Sequence, residues 1–254
     1  MEILKDILIK LKNKGCVGIK ISFEDEGALL NEVISMRYLT ASVGLELTIK
    51  IGGCEAKRDI IDCINIGCDN IVAPMIESKF SLNKFITSSY EYNKNKGFNI
   101  ETITGYNNIH GIVELLDKID FIVVGRVDFV NSIDKTRDYV DSNDMLDIVT
   151  NIFKISKKAN KKCCLGGSIS IKSKDFIKQL LDNNLIDNFE TRYVIYDLNK
   201  INMNDYGQLI NLANEFELEW LKYINQRYNN LSSKDARRIK MIEDRIKENN
   251  INSI

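Results

Sequence analysis

Two carboxylates stand where apolar runs end. In "FNIETITGYNNI" (98–109) Glu101 follows Phe98 and Ile100; in "DFIVVGRVDFV" (120–130) the run Phe121–Val124 leads through Gly125 and Arg126 to Asp128. If both runs are buried strands of one parallel sheet, the two acids lie at neighbouring strand ends and could share a ligand. Carboxylates with coordination positions left over suit an oxygen-seeking ion such as Mg²⁺ or Mn²⁺, which keeps waters and draws its other ligands from substrate. Acids also start helices that follow strands, for reasons of charge alone. The pair is therefore open between a metal site and two helix-starting residues. Gly125 would let the backbone approach a ligand, and the amides around 126–128, that of Val127 among them, could hold a carboxylate.

Other polar groups follow apolar runs in the same way. They are Glu24, Asp25 and Glu26; Lys50 with Gly52 and Gly53; Glu77; "GGSIS" at 166–170; and "ETR" at 190–192. Lys50 ends an apolar run and Lys20 lies within "GIKIS". A desolvated lysine of lowered pKa could form a Schiff base with a ketone, whereas ion pairing with the nearby acids is the plainer alternative. Gly166, Gly167 and Ser168 could cradle a phosphate or carboxylate in backbone N–H groups. Arg192, read as a strand residue, is expected to point into the sheet's interior as a partner to acids.

The chain holds one histidine, His110, in the first turn of an expected helix. Ser-His-Asp or Cys-His catalysis and multi-histidine metal sites each need an imidazole in the pocket, so these classes recede. The six cysteines show neither CxxC pairs nor zinc-ligand spacing and read as reduced, buried small hydrophobes. With 35 basic and 36 acidic residues there is no general field for nucleic acid or an anionic membrane. No run is long and apolar enough for a membrane span, and "MEILKDILIKLKNKG" carries charge through its middle, unlike a signal peptide. A cytoplasmic protein that binds neither nucleic acid nor membrane is expected.

These groups need strands to position them. Short runs rich in β-branched residues alternate with segments of helical period, the pattern of repeated βα units around a parallel sheet. Strands are expected at 17–23, 46–51, 70–76, 99–103, 121–126, 162–166 and 189–196, with helices at 26–43, 54–67, 81–97, 107–118, 142–159 and 173–184. Seven strands imply an α/β fold of the (β/α) TIM-barrel type in modified form: either an amphipathic helix over 1–15 replaces the first unit, or an eighth strand lies near 196–202. Residues 1–202 would form the catalytic barrel and 203–254 a helical extension of two helices, the second capped by Ser232 or Ser233. Its stripe of Leu209, Leu212, Phe216, Trp220 and Ile224 must pack on the barrel or on another subunit, and a homo-oligomer is expected.

In order, "ISFEDEGA", "LTIKIGGCEA", "IVAPMIES", "NIETI" and "VVGRVDF" resemble the HpcH/HpaI aldolase and citrate lyase family over residues 17–130. The resemblance implies a metal-dependent carbon–carbon lyase or aldolase acting on a small anionic 2-oxo acid, pyruvate- or oxaloacetate-like, through a metal-stabilised enolate. It makes Glu101 and Asp128 ligands of Mg²⁺ or Mn²⁺, and the amides near Asp128 the seat of the substrate carboxylate. Lys50 stands where the family usually has an arginine, keeping the charge but losing the bidentate fork. Glu24 and Asp25 fall at the family's acidic stretch, with no histidine after them. Arg126, Arg192 or Lys50 would bind an anionic acceptor or tail. Two alternatives stay open: a Schiff-base aldolase using Lys50 or Lys20, and a non-catalytic barrel that binds a ligand or partner.

Overall fold

Eight strands pair in chain order and close into a barrel, in a computed structural model that describes residues 1–251, with side chains to 245. The strands are β1 (Cys16–Ser22), β2 (Glu46–Lys50), β3 (Asn70–Ala73), β4 (Asn95–Ile100), β5 (Phe121–Gly125), β6 (Lys162–Gly166), β7 (Asn188–Glu190) and β8 (Val194–Asp197). The helices are α1 (Glu2–Asn13), α2 (Leu30–Val43), α3 (Lys57–Ile66), α4 (Lys79–Ser88), the short α5 (Ile103–Asn107) and α6 (Ile109–Ile112), α7 (Arg126–Asn131), α8 (Asn143–Lys158), α9 (Lys174–Asp182) and α10 (Tyr206–Ile251). Among them no helix is long and apolar enough to cross a membrane.

The eighth strand lies inside the expected seventh. Residues 189–196 divide into β7 and β8, joined by a reversal at Thr191–Tyr193 in which Thr191 and Val194 bond each other. β8 therefore runs antiparallel to both β7 and β1, while β1 through β7 are parallel. One unbroken run of β-branched and aromatic residues hid the turn, since both strands keep their apolar character through it. The N-terminal helix is present as well, so it accompanies the full set of strands and replaces none.

Other boundaries moved for local reasons. β4 begins at Asn95, inside the expected helix 81–97, because α4 stops where the buried Ser89 hydroxyl bonds back to the Phe85 carbonyl. The expected helix 107–118 is α6 and a 3₁₀ turn. The two expected C-terminal helices are one helix of 46 residues. Ser233 caps nothing; its hydroxyl returns to the Asn230 carbonyl, which lets the helix run on through a segment lacking Gly and Pro.

Period-2 alternation sends two kinds of side chain to the two faces of the sheet. Outward residues such as Ile71, Ile122, Val124 and Leu165 join the main core under the helices, whereas Val72, Val123 and Cys164 form a small separate cluster inside the barrel. Barrel interiors are ordinarily filled by branched aliphatics. Here the buried inward positions include Lys20's partner Glu190, and Thr48, Lys50, Asn70 and Asn99, so the lumen is held by ion pairs and amides. The first part of α10 buries Tyr206, Leu209, Ile210, Ala213, Phe216 and Trp220 against the barrel.

Candidate active site

Lys50 draws the acids of the mouth together. The last residue of β2, it registers with Ser22 of β1 and Val72 of β3, and its side chain is 7 % exposed. Its Nζ is 2.9 Å from Glu24 Oε2 and 3.5 Å from each carboxylate oxygen of Glu101. Burial works to lower the Lys50 pKa, but Glu101 and Glu24 outweigh it and the ammonium is held above its ordinary value. Lys20, registered against Thr48, is paired with Glu190 in the same way, and its pKa too is raised against the pull of burial.

Glu101, immediately after β4, is fixed at both oxygens. Oε1 accepts the Met75 N–H at 2.9 Å and Oε2 accepts the Asn99 side-chain amide at 2.8 Å. Met75 reaches that position with a left-handed φ of +47°, uncommon for a side chain of its size. Gly125 is required beside it, because a Cβ there would stand 2.6 Å from Glu101 Oε2. Asp128, in the first turn of α7, is half-buried and makes no side-chain hydrogen bond or ion pair among the described residues. Burial raises the pKa of both acids. Lys50 pulls both back, while Asp25 and Glu24 push Asp128 further up.

Both acids open on one cavity of about 550 Å³, whose wall includes Asp25, Ser168, Arg192 and Asn214. Among the described residues no three His, Cys, Asp or Glu side chains converge as a protein-only metal cage. Two carboxylates, one anchored and one unpartnered, repelling each other beside a polar cavity, fit a magnesium-like ion that completes its shell with water and substrate. The "GGSIS" loop lies against the start of α7. Gly167 has φ +78°, and a Cβ on it would lie 2.4 Å and 2.7 Å from the backbone nitrogens of Arg126 and Val127. The missing side chain lets the loop backbone pack directly against those amides.

The family model described as HpcH/HpaI aldolase/citrate lyase matches residues 33–174, more than half of the chain. The chain belongs to the HpcH/HpaI aldolase/citrate lyase family. Similar solved structures include an HpcH/HpaI aldolase/citrate lyase family protein from Burkholderia cenocepacia J2315, 13 % identical with TM-score 0.62 over 85 % of this chain and 90 % of that one. An HpcH/HpaI aldolase from Desulfitobacterium hafniense DCB-2 is 9 % identical with TM-score 0.60, over 70 % and 79 %. Citrate synthase SbnG is 15 % identical with TM-score 0.58, over 85 % and 89 %. At these identities the likeness is one of fold. No curated protein matches the sequence.

Two residues of this HpcH/HpaI barrel depart from their expected roles. Arg126 cannot reach an anion in the cavity, since its side chain is fully buried and its guanidinium is occupied. It donates to the carbonyls of Gly166, Gly167 and Val140 at 3.0–3.2 Å, pairs with Asp141 at 2.5 Å and stacks over Phe176. Arg192 sits in the β7–β8 reversal, not on a strand. It faces the mouth half-exposed, pairing with Glu26 at 3.3 Å and Asp25 at 3.8 Å. His110 is exposed on α6, away from any role in the site's hydrogen bonds.

Asn99, the Met75 amide and Arg137 were not legible as site groups in this family member's sequence. Asn99 carried a signal, because it precedes Glu101 by two and so shares its face of the strand. Met75 and Arg137 carried none; each is placed by loop geometry.

Proposed function

We propose that the protein is a divalent-metal-dependent carbon–carbon lyase or aldolase acting on a small 2-oxo acid, pyruvate- or oxaloacetate-like. The observation that carries this reading is the carboxylate of Asp128, unpartnered among the described residues, beside the doubly anchored Glu101. These two residues would hold Mg²⁺ or Mn²⁺, which when bound supplies Lewis acidity toward a carbonyl oxygen. Asn99 and the Met75 N–H fix Glu101, so its carboxylate needs no reorganisation to serve as a ligand. Lys50, held protonated, presents positive charge to an oxygen of the substrate. The substrate carboxylate would lie at the amides near Asp128, with Gly166 and Gly167 keeping the "GGSIS" loop close to them. Glu24 is tied to Lys50, which leaves the exposed Asp25 on the cavity wall to take or return a proton.

The Schiff-base alternative is disfavoured by the same geometry. A lysine nucleophile must lose its proton, and both Lys50 and Lys20 are paired with carboxylates that keep it on. Deuterium exchange into the methyl group of pyruvate, followed by NMR, tests the reading. Exchange should require Mg²⁺ or Mn²⁺, stop with EDTA and be lost in Asp128→Asn. Exchange that survives chelation, or a borohydride-trapped adduct with pyruvate, would overturn it.

A further inference from the structure

Four basic side chains around the mouth are neutralised by acids. Lys50 is matched by Glu24 and Glu101, Lys20 by Glu190, Arg126 by Asp141, and Arg192 by Glu26 and Asp25. Arg137 lines the same cavity and has no ion pair among the described residues; its Nε donates to the Ser168 hydroxyl at 2.9 Å. That single bond orients the guanidinium and leaves its two terminal nitrogens without an acceptor from the chain among the described residues, the fork that binds a carboxylate or phosphate side-on.

The orientation is built, not incidental. Ser168 holds a left-handed φ of +56° directly after Gly167 at +78°, a conformation that a serine adopts only when its surroundings enforce it. Arg137 begins the 3₁₀ turn Arg137–Asp141. The buried Arg126 guanidinium binds both sides of the contact: the carbonyls of Gly166 and Gly167 on one, Val140 and Asp141 on the other. Arg126 is thus a positioning residue that clamps the serine loop to the turn carrying Arg137.

We infer that Arg137, steered by Ser168, is a specificity-determining residue that receives a terminal anionic group at the far end of the substrate, so that the preferred 2-oxo acids carry a second negative charge. This rests on the proposed function, in which the 2-oxo acid head lies at Glu101 and Asp128.

Calorimetric binding in the presence of Mg²⁺ tests it, with pyruvate, with 2-oxoglutarate against 2-oxopentanoate, and with 2-oxoadipate against 2-oxohexanoate. Wild type should bind at least one dicarboxylate about tenfold or more tighter than its uncharged counterpart, the size expected for a charged hydrogen bond at a partly exposed site. Arg137→Gln should bring that ratio to about one, leave pyruvate binding unchanged and leave the melting temperature unchanged; Arg137→Lys should restore part of the ratio. Substituting an alkyl phosphonate for the terminal carboxylate distinguishes a phosphate tail from a carboxylate tail. Pyruvate binding with no dicarboxylate, phosphonate or Arg137 dependence overturns this inference alone. Absence of Mg²⁺-dependent pyruvate binding overturns the reading beneath it, and this inference with it.

Discussion

The ammonium of Lys50 stands 3.5 Å from both carboxylate oxygens of Glu101. It therefore balances an acid of the mouth that is almost wholly buried. The charge Lys50 supplies is permanent at any working pH, because its partners raise its pKa above the ordinary value.

Removing that charge should cost both stability and activity. Lys50→Met leaves Glu101 and Glu24 facing each other, and a loss of about 2–3 kcal/mol in urea unfolding is expected for breaking a largely buried pair. Activity should fall by roughly 100-fold, as for loss of a charge that stabilises a reacting oxygen. Lys50→Arg should keep most of the stability. A methionine variant as stable as wild type would mean the pair is not formed.

Asp128→Asn separates ligand binding from folding. Wild type should gain melting temperature on addition of Mg²⁺ or Mn²⁺ by mass action, about 2.7 kcal/mol at one hundred times the dissociation constant. The asparagine variant should show no metal-dependent gain, while without metal it should be at least as stable as wild type, since burial opposes the charge there. Equal stabilisation of both proteins by the ion would place the metal elsewhere.

Gly167→Ala should act on the substrate seat. The added methyl would lie 2.4 Å from the Arg126 nitrogen in a left-handed backbone, so the loop must shift at a cost of about 1–3 kcal/mol. Pyruvate affinity should fall while Mg²⁺ affinity is retained. Unchanged pyruvate affinity would remove the cradle from the site.

Glu26 gives the fold a pH signature. Burial raises its pKa, and its Oε2 is buried without a hydrogen-bond partner among the described residues. Below the ordinary carboxylate value folded and unfolded chains are both protonated, and the contribution to stability is full. As pH rises toward the higher folded pKa the unfolded chain ionises first, so stability is lost across that window and then levels off. Glu26→Gln should flatten this part of the stability profile and raise stability at neutral pH by about 1 kcal/mol or less. A profile unaltered by the substitution would contradict the assignment.

The outer half of α10 tests the expected homo-oligomer. Beyond Tyr228, whose hydroxyl bonds Glu32, the helix exposes Leu231, Ile239 and Ile242. The full chain should sediment as an oligomer and a chain ending at Tyr228 as a smaller species that keeps its barrel. A monomeric full chain would end the expectation.

The sequence by itself determined the barrel class and the position of two acids just past neighbouring strands. Strands and helices announce themselves through local periodicity, and the ends of strands β4 and β5 carry Glu101 and Asp128 because the chain must leave the core there. It did not determine the eighth strand, since the reversal at Thr191–Tyr193 interrupts no apolar pattern, nor the continuity of α10 through two serines. Only tertiary structure decided the fate of the arginines. Which guanidinium is buried, which is paired and which stays open depends on carbonyls and acids brought from distant parts of the chain, as Gly166, Val140 and Asp141 are brought to Arg126. Charge type is written in the sequence, whereas the partner that spends or spares that charge is a property of contacts remote along the chain.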